Sequence, residues 1–400
     1  MADTPMAVVV GLDCVTGLQT ARLLASRGVP VLGIATDPRH FGARTRVCEQ
    51  VHVADTAGDG VVELLEQLSV SLPHKAVLYP CTDLSVMSIS RERERLSPSY
   101  HVLLPKHEVV QTLLDKVRFT EYALEHGLPI PPSVVVRTPE DLDRATQLRF
   151  PCAVKPAVKT AFWQQHTKEK VFRAANPAGL RTLYWQVRAW SDTLVVQEWV
   201  PGGEDSQTTC NAYFDSGSRP LVTFVSRKLR QWPTGTGTGC LGLEHRDDVV
   251  LHETVRLFSD IGFHGLAYLE MKQHAVTGDR FIIEPNVGRP TGRSALAEGC
   301  GVELLLTAYC DAVGLPLPAD RTQVYGTTKW LDDRRDLFSA VTHWSRRELT
   351  AADWWRSMRG PKVHAVWSPG DPLPFIVDVA STGRKAVRAI GQRVGLRGNR

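Results

Sequence analysis

The sequence lacks a Cys-x-x-Cys pair and a long apolar run, and its first residues lack the features of a signal peptide. Its eight cysteines are scattered, several of them inside apolar stretches, so structural zinc and thioredoxin-like chemistry have no support. Cysteines of this kind in a chain of this size are expected to stay reduced and buried. No apolar run approaches the ~20 residues of a membrane-spanning helix, and the N-terminus has no cationic region or cleavage site. We therefore expect a cytoplasmic protein without a membrane span.

The sequence also lacks a strong excess of one charge. Its 47 Lys and Arg residues nearly balance 43 Asp and Glu residues, for a formal net charge of +4. A concentrated basic face is typical of nucleic-acid binding, so nucleic acid is not expected as a partner, whereas small anionic ligands are compatible with this balance. The hydrophobic content of 43% is that of a globular protein, and 400 residues suggest two or three domains.

The glycine fingerprint of dinucleotide-binding proteins is absent as well. Residues 6–11, 17–28 and 29–37 are predicted to form a strand, a helix and a second strand with an acidic end, which is the outline of such a unit. The turn at residues 11–17 is not Gly-x-Gly-x-x-Gly, and its bulky side chains would crowd a pyrophosphate. A Rossmann oxidoreductase is therefore the weakest hypothesis. Farther along, Thr82 or Asp83 is expected to cap a helix, with a substrate contact as the alternative.

What the sequence does contain is a pair of short apolar runs that each offer a carboxylate, Glu270 in the first and Glu284 in the second. If these runs form antiparallel strands with the two glutamates on facing positions, two carboxylates lie side by side and Asn286 adds a neutral oxygen. Such a set suits Mg²⁺, with Mn²⁺ as an alternative. Arg289 follows where a planar cation can hold a transferring phosphoryl or acyl-phosphate group. Taken alone, the stretch is better explained as two half-buried strands with polar ends and a surface arginine.

Upstream segments fit a nucleoside triphosphate in the same order along the chain. Lys155 ends an apolar strand and can direct a point charge at phosphate oxygens. Residues 197–200 form an apolar strand with a polar interruption, whose backbone groups can pair with an adenine edge. Glu204 can accept the hydroxyls of a ribose. Each feature alone is weak, because a lysine at a strand end usually faces solvent and Glu204 reads simply as a turn residue; their order favours nucleotide binding.

In this order the chain resembles the ATP-grasp superfamily, in particular its carboxylate–amine ligases. The resemblance covers about residues 105–310, and residues 8–104 resemble the Rossmann-like domain that precedes an ATP-grasp module. The matching motifs are Leu-Asp-Lys at 114–116, Ala-Val-Lys-Pro at 153–156, Val-Gln-Glu-Trp-Val-Pro-Gly-Gly-Glu at 196–204, Arg-Lys-Leu-Arg at 227–230, Leu-Glu at 269–270, and Ile-Glu-Pro-Asn at 283–286 followed by Arg289.

The resemblance implies a fold class of α/β and α+β. A Rossmann-like pre-ATP-grasp domain (residues 1–108) precedes the N-terminal lobe (109–192), which includes the Lys155 strand, and the C-terminal catalytic lobe (193–328). A C-terminal segment (329–400) ends in a basic amphipathic helix, for which docking on the protein is expected and membrane-surface or partner binding is the alternative.

The function that the resemblance implies is ATP- and Mg²⁺-dependent ligation. A small-molecule carboxylate is activated as an acyl phosphate and joined to an amine, an amino acid being one candidate, to give an amide or peptide bond with ADP and phosphate. The alternatives are an ATP-grasp carboxylase or carbamoyl-phosphate-type enzyme, and a nucleotide-binding module without catalysis. The identities of the two substrates are not encoded in any pattern, and a homodimer is an open option.

The resemblance also assigns roles to individual residues. The expected nucleotide-binding residues are Lys116, Lys155 and Lys228 for phosphates, Gln197, Glu198, Trp199 and Val200 for adenine, and Glu204 for ribose. Glu270, Glu284 and Asn286 are the expected metal ligands, and Arg289, Arg293, Lys228 and Arg230 are the candidate catalytic residues.

Two departures from the family pattern stand out. The segment at residues 156–170 has no glycine where many relatives have a glycine-rich phosphate loop; the donors it offers instead are Lys159, Thr160, Thr167, Lys168 and Lys170. In addition, Gly288 places the arginine three residues after Asn286 instead of two. Arg289 and Arg293 therefore both remain candidates for contact with the acyl phosphate.

Overall fold

The computed structural model describes residues 4–157, 161–167, 169 and 171–395. All eight cysteines are unpaired, as expected. Among the described helices, none combines the length and the apolar content that crossing a membrane requires.

The first domain is built on a parallel five-stranded sheet, with strand order β3-β2-β1-β4-β5. Apolar side chains of β1 alternate between two cores: Ala7 and Val9 face one, and Val8 and Val10 face the other, as expected for a strand covered on both sides. The strands are β1 (Ala7–Val10), β2 (Val31–Ala35), β3 (Gln50–Val53), β4 (Ala76–Pro80) and β5 (Tyr100–Val102), and the helices are α1 (Val15–Ser26), α2 (Asp59–Ser69), α3 (Asp83–Arg91) and α4 (Arg93–Leu96).

Thr82 caps α3. This confirms one of the two residues that the sequence offered as a cap. Its hydroxyl accepts a hydrogen bond from the backbone N–H of Ser85 at 3.1 Å, and the Ser85 hydroxyl lies 3.1 Å from the Thr82 N–H, which completes a capping box. Asp83 is thereby left as the first residue of the helix, at the carboxyl end of β4, where ligands of parallel sheets gather.

Two short helices, α5 (His107–Leu114) and α6 (Lys116–Glu125), lead out of the first domain. They are separate because Asp115 is extended and its carboxylate accepts the N–H groups of Val117 at 2.8 Å and Arg118 at 3.0 Å. This cap starts α6 at Lys116.

The N-terminal lobe contains a four-stranded antiparallel sheet in the order β6-β9-β7-β8. It has its own apolar core, centred on Trp163, Leu180 and Tyr184. Its elements are β6 (Ser133–Val136), α7 (Pro139–Ala145), β7 (Cys152–Pro156), α8 (Ala161–His166), β8 (Phe172–Ala174), α9 (Pro177–Val187) and β9 (Leu194–Glu198).

The placement of β9 corrects the lobe boundary drawn at residue 193. This strand lies between β6 and β7, with Val195 opposite Val135 on one side and Lys155 on the other. The sequence pattern alone assigned β9 to the following lobe, because the residues of an apolar strand do not show which strand it will pair with.

The C-terminal lobe is built on a seven-stranded sheet in the order β14-β13-β10-β11-β12-β15-β16. The segment after residue 328 contributes its last two strands, which extend the sheet beyond β12. The strands are β10 (Gln207–Phe214), β11 (Pro220–Trp232), β12 (Thr238–Glu244), β13 (Gly265–Gln273), β14 (Arg280–Val287), β15 (Lys329–Leu331) and β16 (Lys362–His364), and the helices are α10 (Asp248–Asp260), α11 (Ser294–Gly299), α12 (Leu304–Val313), α13 (Asp333–Ser345), α14 (Ala351–Ser357) and α15 (Leu373–Gly395).

The first domain and the large sheet share apolar cores. One cluster joins Val10 of β1 to Phe214 of β10, and the other joins Val9 to Tyr213. Gly265 at the start of β13 lies so close to this domain that a Cβ there would sit 2.0 Å from the carbonyl oxygen of Leu103. The first domain is therefore packed firmly behind the large sheet.

Burial raises the pKa of Glu298, in α11, to about 7, although the N–H of Leu305 and the guanidinium of Arg27 favour its charged form. The unfolded chain ionises this group near 4.5, so stability contributed by the neutral acid is lost as the pH rises from 4.5 through 7. We expect Glu298→Gln to raise the free energy of unfolding by on the order of 2 kcal/mol at pH 8 and to change it little at pH 4.5.

Urea unfolding at both pH values measures this difference. Glu63→Gln on the exposed face of α2 is the matched control. An equal effect of Glu298→Gln at the two pH values would contradict the raised pKa.

Candidate active site

A cleft of about 520 Å³ lies between the two lobes, with the large sheet as its floor and the small sheet above it. Lys116, at the first position of α6, also lines the cleft. The structure brings most of the predicted site residues to this cavity; those lining it are Lys116, Lys155, Gln197, Glu198, Trp199, Val200, Lys228, Glu270, Glu284, Asn286, Arg289 and Arg293.

Part of the cleft lining is apolar. Ala153 of β7 and Val195 of β9 line the cleft from the small sheet, and Ile282 of β14 lines it from the large sheet. Apolar side chains of this kind can pack against a planar ring system. The cleft therefore offers the chemistry of a base-binding site.

The segment at residues 198–200 borders the cleft with its backbone. The N–H groups of Glu198 and Trp199 are already donated, to the carbonyls of Pro132 at 2.9 Å and Pro151 at 3.0 Å. The N–H of Val200 has no acceptor among the described residues. It is therefore the backbone donor of this segment that remains available to a ligand.

The polar side chains of Gln197 and Glu198 form hydrogen bonds with other residues of the protein. The Gln197 side chain accepts a hydrogen bond from Lys155 Nζ at 3.0 Å and donates one to Ser133 Oγ at 3.0 Å. Glu198 accepts the backbone N–H of Arg149 at 2.8 Å. Gln197 thus orients Lys155, a relation that the sequence did not predict.

Trp199 lies between two cations. The guanidinium of Arg173 is 5.1 Å from its ring centroid, and Nζ of Lys272 is 5.6 Å from it. Lys272 lines the cleft but was not among the predicted site residues. Its position two residues after Glu270 on a strand was the available signal, since residues i and i+2 share a face.

The floor of the cleft is set by the register of β13 and β14. Glu270 lies directly opposite Glu284, and Tyr268 lies opposite Asn286. This confirms the prediction that the two glutamates occupy facing positions on antiparallel strands. Because alternate residues share a face, the two carboxylates and the carboxamide point to the same side of the sheet.

Two cations flank Glu270. Its carboxylate is 3.3 Å from Nζ of Lys228 and 3.8 Å from the guanidinium of Arg293. Burial alone would raise the pKa of Glu270, but Lys228 and Arg293 outweigh it and the pKa is lowered. Glu270 is therefore ionised at neutral pH. The Lys228 Nζ also donates to the side-chain oxygens of Gln207 and Gln231.

The donor set fits a hard divalent cation that completes its coordination with ligand oxygens and water. Glu270, Glu284 and Asn286 offer two carboxylates and one carboxamide, and Glu284 is exposed to the cleft. In the described part of the chain there is no cluster of three or more His, Cys, Asp or Glu side chains arranged to hold a metal alone. Mg²⁺ is commonly bound by one or two carboxylates together with phosphates and water.

The two candidate arginines differ in their surroundings. Arg289 donates to Asp83 Oδ1 at 2.5 Å and to Asn286 Oδ1 at 2.8 Å. Arg293 has a buried Nη1 without a hydrogen-bond partner among the described residues. Arg293, which lines the cleft, therefore has hydrogen-bonding capacity left for a ligand.

The structure does not bring Arg230 into the cleft, which corrects its assignment as a catalytic residue. A β-bulge at residue 229 shifts the register between Lys228 and Arg230, so the two side chains point to opposite faces of the sheet. The guanidinium of Arg230 instead forms a two-bond pair with Asp336 of α13, at 2.7 and 3.0 Å. Both side chains are at least nine-tenths buried.

Glu204 is likewise absent from the cleft lining, so the structure does not support its ribose role. Its carboxylate accepts the backbone N–H groups of Gln231 at 2.9 Å and Gly235 at 2.8 Å. These bonds fix the glycine-rich turn between β11 and β12, and residues 235–239, from this turn and the start of β12, line the cleft. Glu204 acts as an anchor of this turn.

Some predicted donors cannot be placed. Lys159, Thr160, Lys168 and Lys170 lie outside the described residues. Conversely, the first domain contributes Thr16 and Asp83 to the cleft. Both follow the carboxyl ends of parallel strands, and this position could have identified them from the sequence as site residues.

The position of Arg230 predicts a structural effect for its removal. Arg230→Met leaves the buried Asp336 carboxylate without its cation, and we expect a loss of about 3–5 kcal/mol in the free energy of unfolding, measured with urea. The double variant Arg230→Met with Asp336→Leu is expected to recover most of that loss. Normal stability combined with lost nucleotide binding in Arg230→Met would instead return Arg230 to the site.

No protein-family model matches the chain. In sequence, it is 24% identical over 231 residues to D-aspartate ligase from Enterococcus faecium (strain Aus0004), covering 55% of this chain and 54% of the relative. The chain thus matches about half the length of this curated relative.

Solved structures resemble about four-fifths of the chain. A biotin carboxylase–beta-gamma-ATP complex from Campylobacter jejuni matches with a TM-score of 0.63 at 11% identity, covering 80% of this chain and 73% of that one. An N5-carboxyaminoimidazole ribonucleotide synthetase from Thermus thermophilus matches with a TM-score of 0.60 at 17% identity, covering 80% and 81%. A phosphoribosylglycinamide synthetase from Anaerococcus prevotii matches with a TM-score of 0.59 at 15% identity, covering 78% and 76%.

At these identities the likeness concerns the fold, and it agrees with the sheets and the cleft between the lobes. The chain has the ATP-grasp fold, with a Rossmann-like α/β domain ahead of its two lobes.

Proposed function

We propose that the protein is an ATP-dependent carboxylate–amine ligase. The observation that carries the proposal is the facing pair Glu270 and Glu284, with Lys228 and Arg293 beside Glu270, in a cleft that apolar side chains of both sheets also line. This combination supplies a base site, cations for phosphates and oxygen ligands for a divalent metal in one cavity.

The residues present fit a magnesium–nucleotide complex. Val200 and the apolar side chains of the cleft would hold the base, and Lys116, Lys155 and Lys228 would hold the phosphates. Glu270, Glu284 and Asn286 would hold Mg²⁺, with Mn²⁺ as an alternative. The fit is supported by the free N–H of Val200, by the three lysines that line one cavity, and by the oxygen-only character of the metal ligands.

When bound, MgATP would supply the phosphoryl group that activates the carboxylate as an acyl phosphate, which an amine then converts to an amide with release of ADP and phosphate. The contribution of this chain is positioning and charge. Lys155, oriented by Gln197, and Lys228, oriented by Gln207 and Gln231, offer cations at fixed places. Such cations lower the repulsion between a carboxylate and a phosphate tail.

Arg293 is the residue that we assign to the carboxylate or acyl phosphate. Its buried, unpartnered Nη1 and its place beside Glu270 support this choice. A guanidinium binds a carboxylate or a phosphate through parallel N–H groups. Arg289 has already committed Nε and Nη2 to Asp83 and Asn286.

The relative in Enterococcus faecium suggests where to begin with substrates. Its name, D-aspartate ligase, makes D-aspartate the first carboxylate to test. We propose an amino acid as one substrate of this chain, and a second small molecule as the other.

The decisive experiment is an assay of ADP and phosphate release over a panel of amino acids, other carboxylates and amines. Release that requires both a carboxylate and an amine is the expected result. Release that depends on bicarbonate would replace the proposal with a carboxylase or carbamoyl-phosphate-type activity. Nucleotide binding without turnover under any pair would identify a module without catalysis.

Glu284 offers a direct test of the metal site. Glu284→Gln removes one carboxylate from an exposed position, so we expect the free energy of unfolding to change by no more than about 0.5 kcal/mol. The rate of ADP release is expected to fall on the order of 100-fold or more, because metal charge stabilisation contributes several kcal/mol.

Glu66→Gln, on α2 in the first domain, is the matched control and should keep the full rate. Its carboxylate lies on the surface, paired with Arg95 at 2.8 Å. Activity of Glu284→Gln close to that of the control would remove Glu284 from the metal site.

A further inference from the structure

The loop that follows the metal-site strand is pressed against the first domain. Gly288, directly after β14, has a positive φ of 72°. A Cβ at this position would lie 2.3 Å from Cδ2 of Leu104 and 2.8 Å from Cγ1 of Val86, both residues of the first domain. A side chain is therefore excluded here on two grounds, backbone conformation and space.

This contact explains why the arginine stands three residues after Asn286. The additional glycine carries the chain onto the first domain and directs Arg289 toward α3. There its Nε donates to Oδ1 of Asp83 at 2.5 Å, across 206 positions of sequence. Asp83 is the first residue of α3, and its side chain remains 56% exposed.

The other end of the same guanidinium reaches the metal-site carboxamide. Nη2 of Arg289 donates to Oδ1 of Asn286 at 2.8 Å, and the guanidinium carbon lies 5.3 Å from the ring centroid of Tyr268. Asp83, Arg289 and Asn286 thus form one chain of hydrogen bonds from the first domain to the floor of the cleft.

We propose that Asp83 is a positioning residue for the metal site: through Arg289 it fixes the carboxamide of Asn286. The proposal rests on the proposed function, because it assigns Asn286 to Mg²⁺. Oδ1 has two lone pairs, so it can accept the Arg289 N–H and still serve as a metal ligand. The first domain then contributes to nucleotide binding through the metal site.

The negative charge of Asp83 is a second way in which this residue favours metal binding. The Arg289 guanidinium is a cation that contacts the metal ligand Asn286 directly. Without a carboxylate beside it, this cation would repel a divalent metal and attract the carboxylates that should bind the metal. Asp83 offsets that charge.

The test is calorimetric titration of the full chain with ADP at a series of Mg²⁺ concentrations. Asp83→Asn keeps the size of the side chain at an exposed helix start and removes its charge. We expect the Mg²⁺ concentration that gives half-maximal tightening of ADP binding to rise about 10- to 100-fold, the usual range for residues that orient metal ligands. ADP affinity without Mg²⁺ is expected to stay within about twofold. A general structural defect would instead lower the ADP affinity both with and without Mg²⁺.

Asp59→Asn is the matched control. Asp59 lies at the start of α2 in the same domain, is 80% exposed and pairs with Arg91 at 2.6 Å. It is expected to leave the Mg²⁺ dependence unchanged.

Arg289→Met provides the second arm. If Asp83 acts through Arg289, adding Asp83→Asn to Arg289→Met should change the Mg²⁺ dependence by less than about twofold, since coupled residues are not additive. Full additivity in the double variant, or an Mg²⁺ dependence of Asp83→Asn equal to that of Asp59→Asn, would overturn the proposal. Failure of the unaltered chain to bind ADP more tightly with Mg²⁺ would instead overturn the metal site of the proposed function, and this role with it.

Discussion

The alignment of Glu270 with Glu284 across β13 and β14 is the constraint on which the cleft depends. Two carboxylates on neighbouring strands of a buried sheet repel each other unless cations lie close to them. Unit charges about 4 Å apart interact by roughly 4 kcal/mol at an effective dielectric constant near 20. Lys228 at 3.3 Å and Arg293 at 3.8 Å therefore suffice to keep Glu270 ionised. Lys228 and Arg293 come from different segments of the chain, so the charge balance of the cleft depends on how both segments are placed.

Features that depend on local periodicity were predictable from the sequence. The alternation of polar and apolar residues in β13 and β14 led to the facing glutamates, and the apolar run that ends at Lys155 led to its place in the cleft. The ATP-grasp fold was predictable for a similar reason, since the order of short motifs along the chain survives where overall identity is low. These predictions needed only which face of a strand a residue occupies.

Features that depend on contacts between distant segments were not predictable in the same way. The bulge that turns Arg230 away from Lys228 is a property of the pairing between β11 and β12. Glu204 is recruited by backbone N–H groups 27 and 31 positions farther along the chain. The neighbours of β9, and with them the boundary between the lobes, are likewise fixed by pairing. The residue types at these positions do not indicate which partners they contact in the folded chain.

The strands after residue 328 affect the large sheet beyond the two pairings they make. β16 is only three residues long and lies parallel to β15, so the sheet ends in a short strand that offers few free backbone groups. Without this segment, β12 would become a bare edge of seven residues beside the glycine-rich turn of the cleft. Such an edge is a template for pairing with another chain. The C-terminal segment therefore also covers a sheet edge that would otherwise favour self-association.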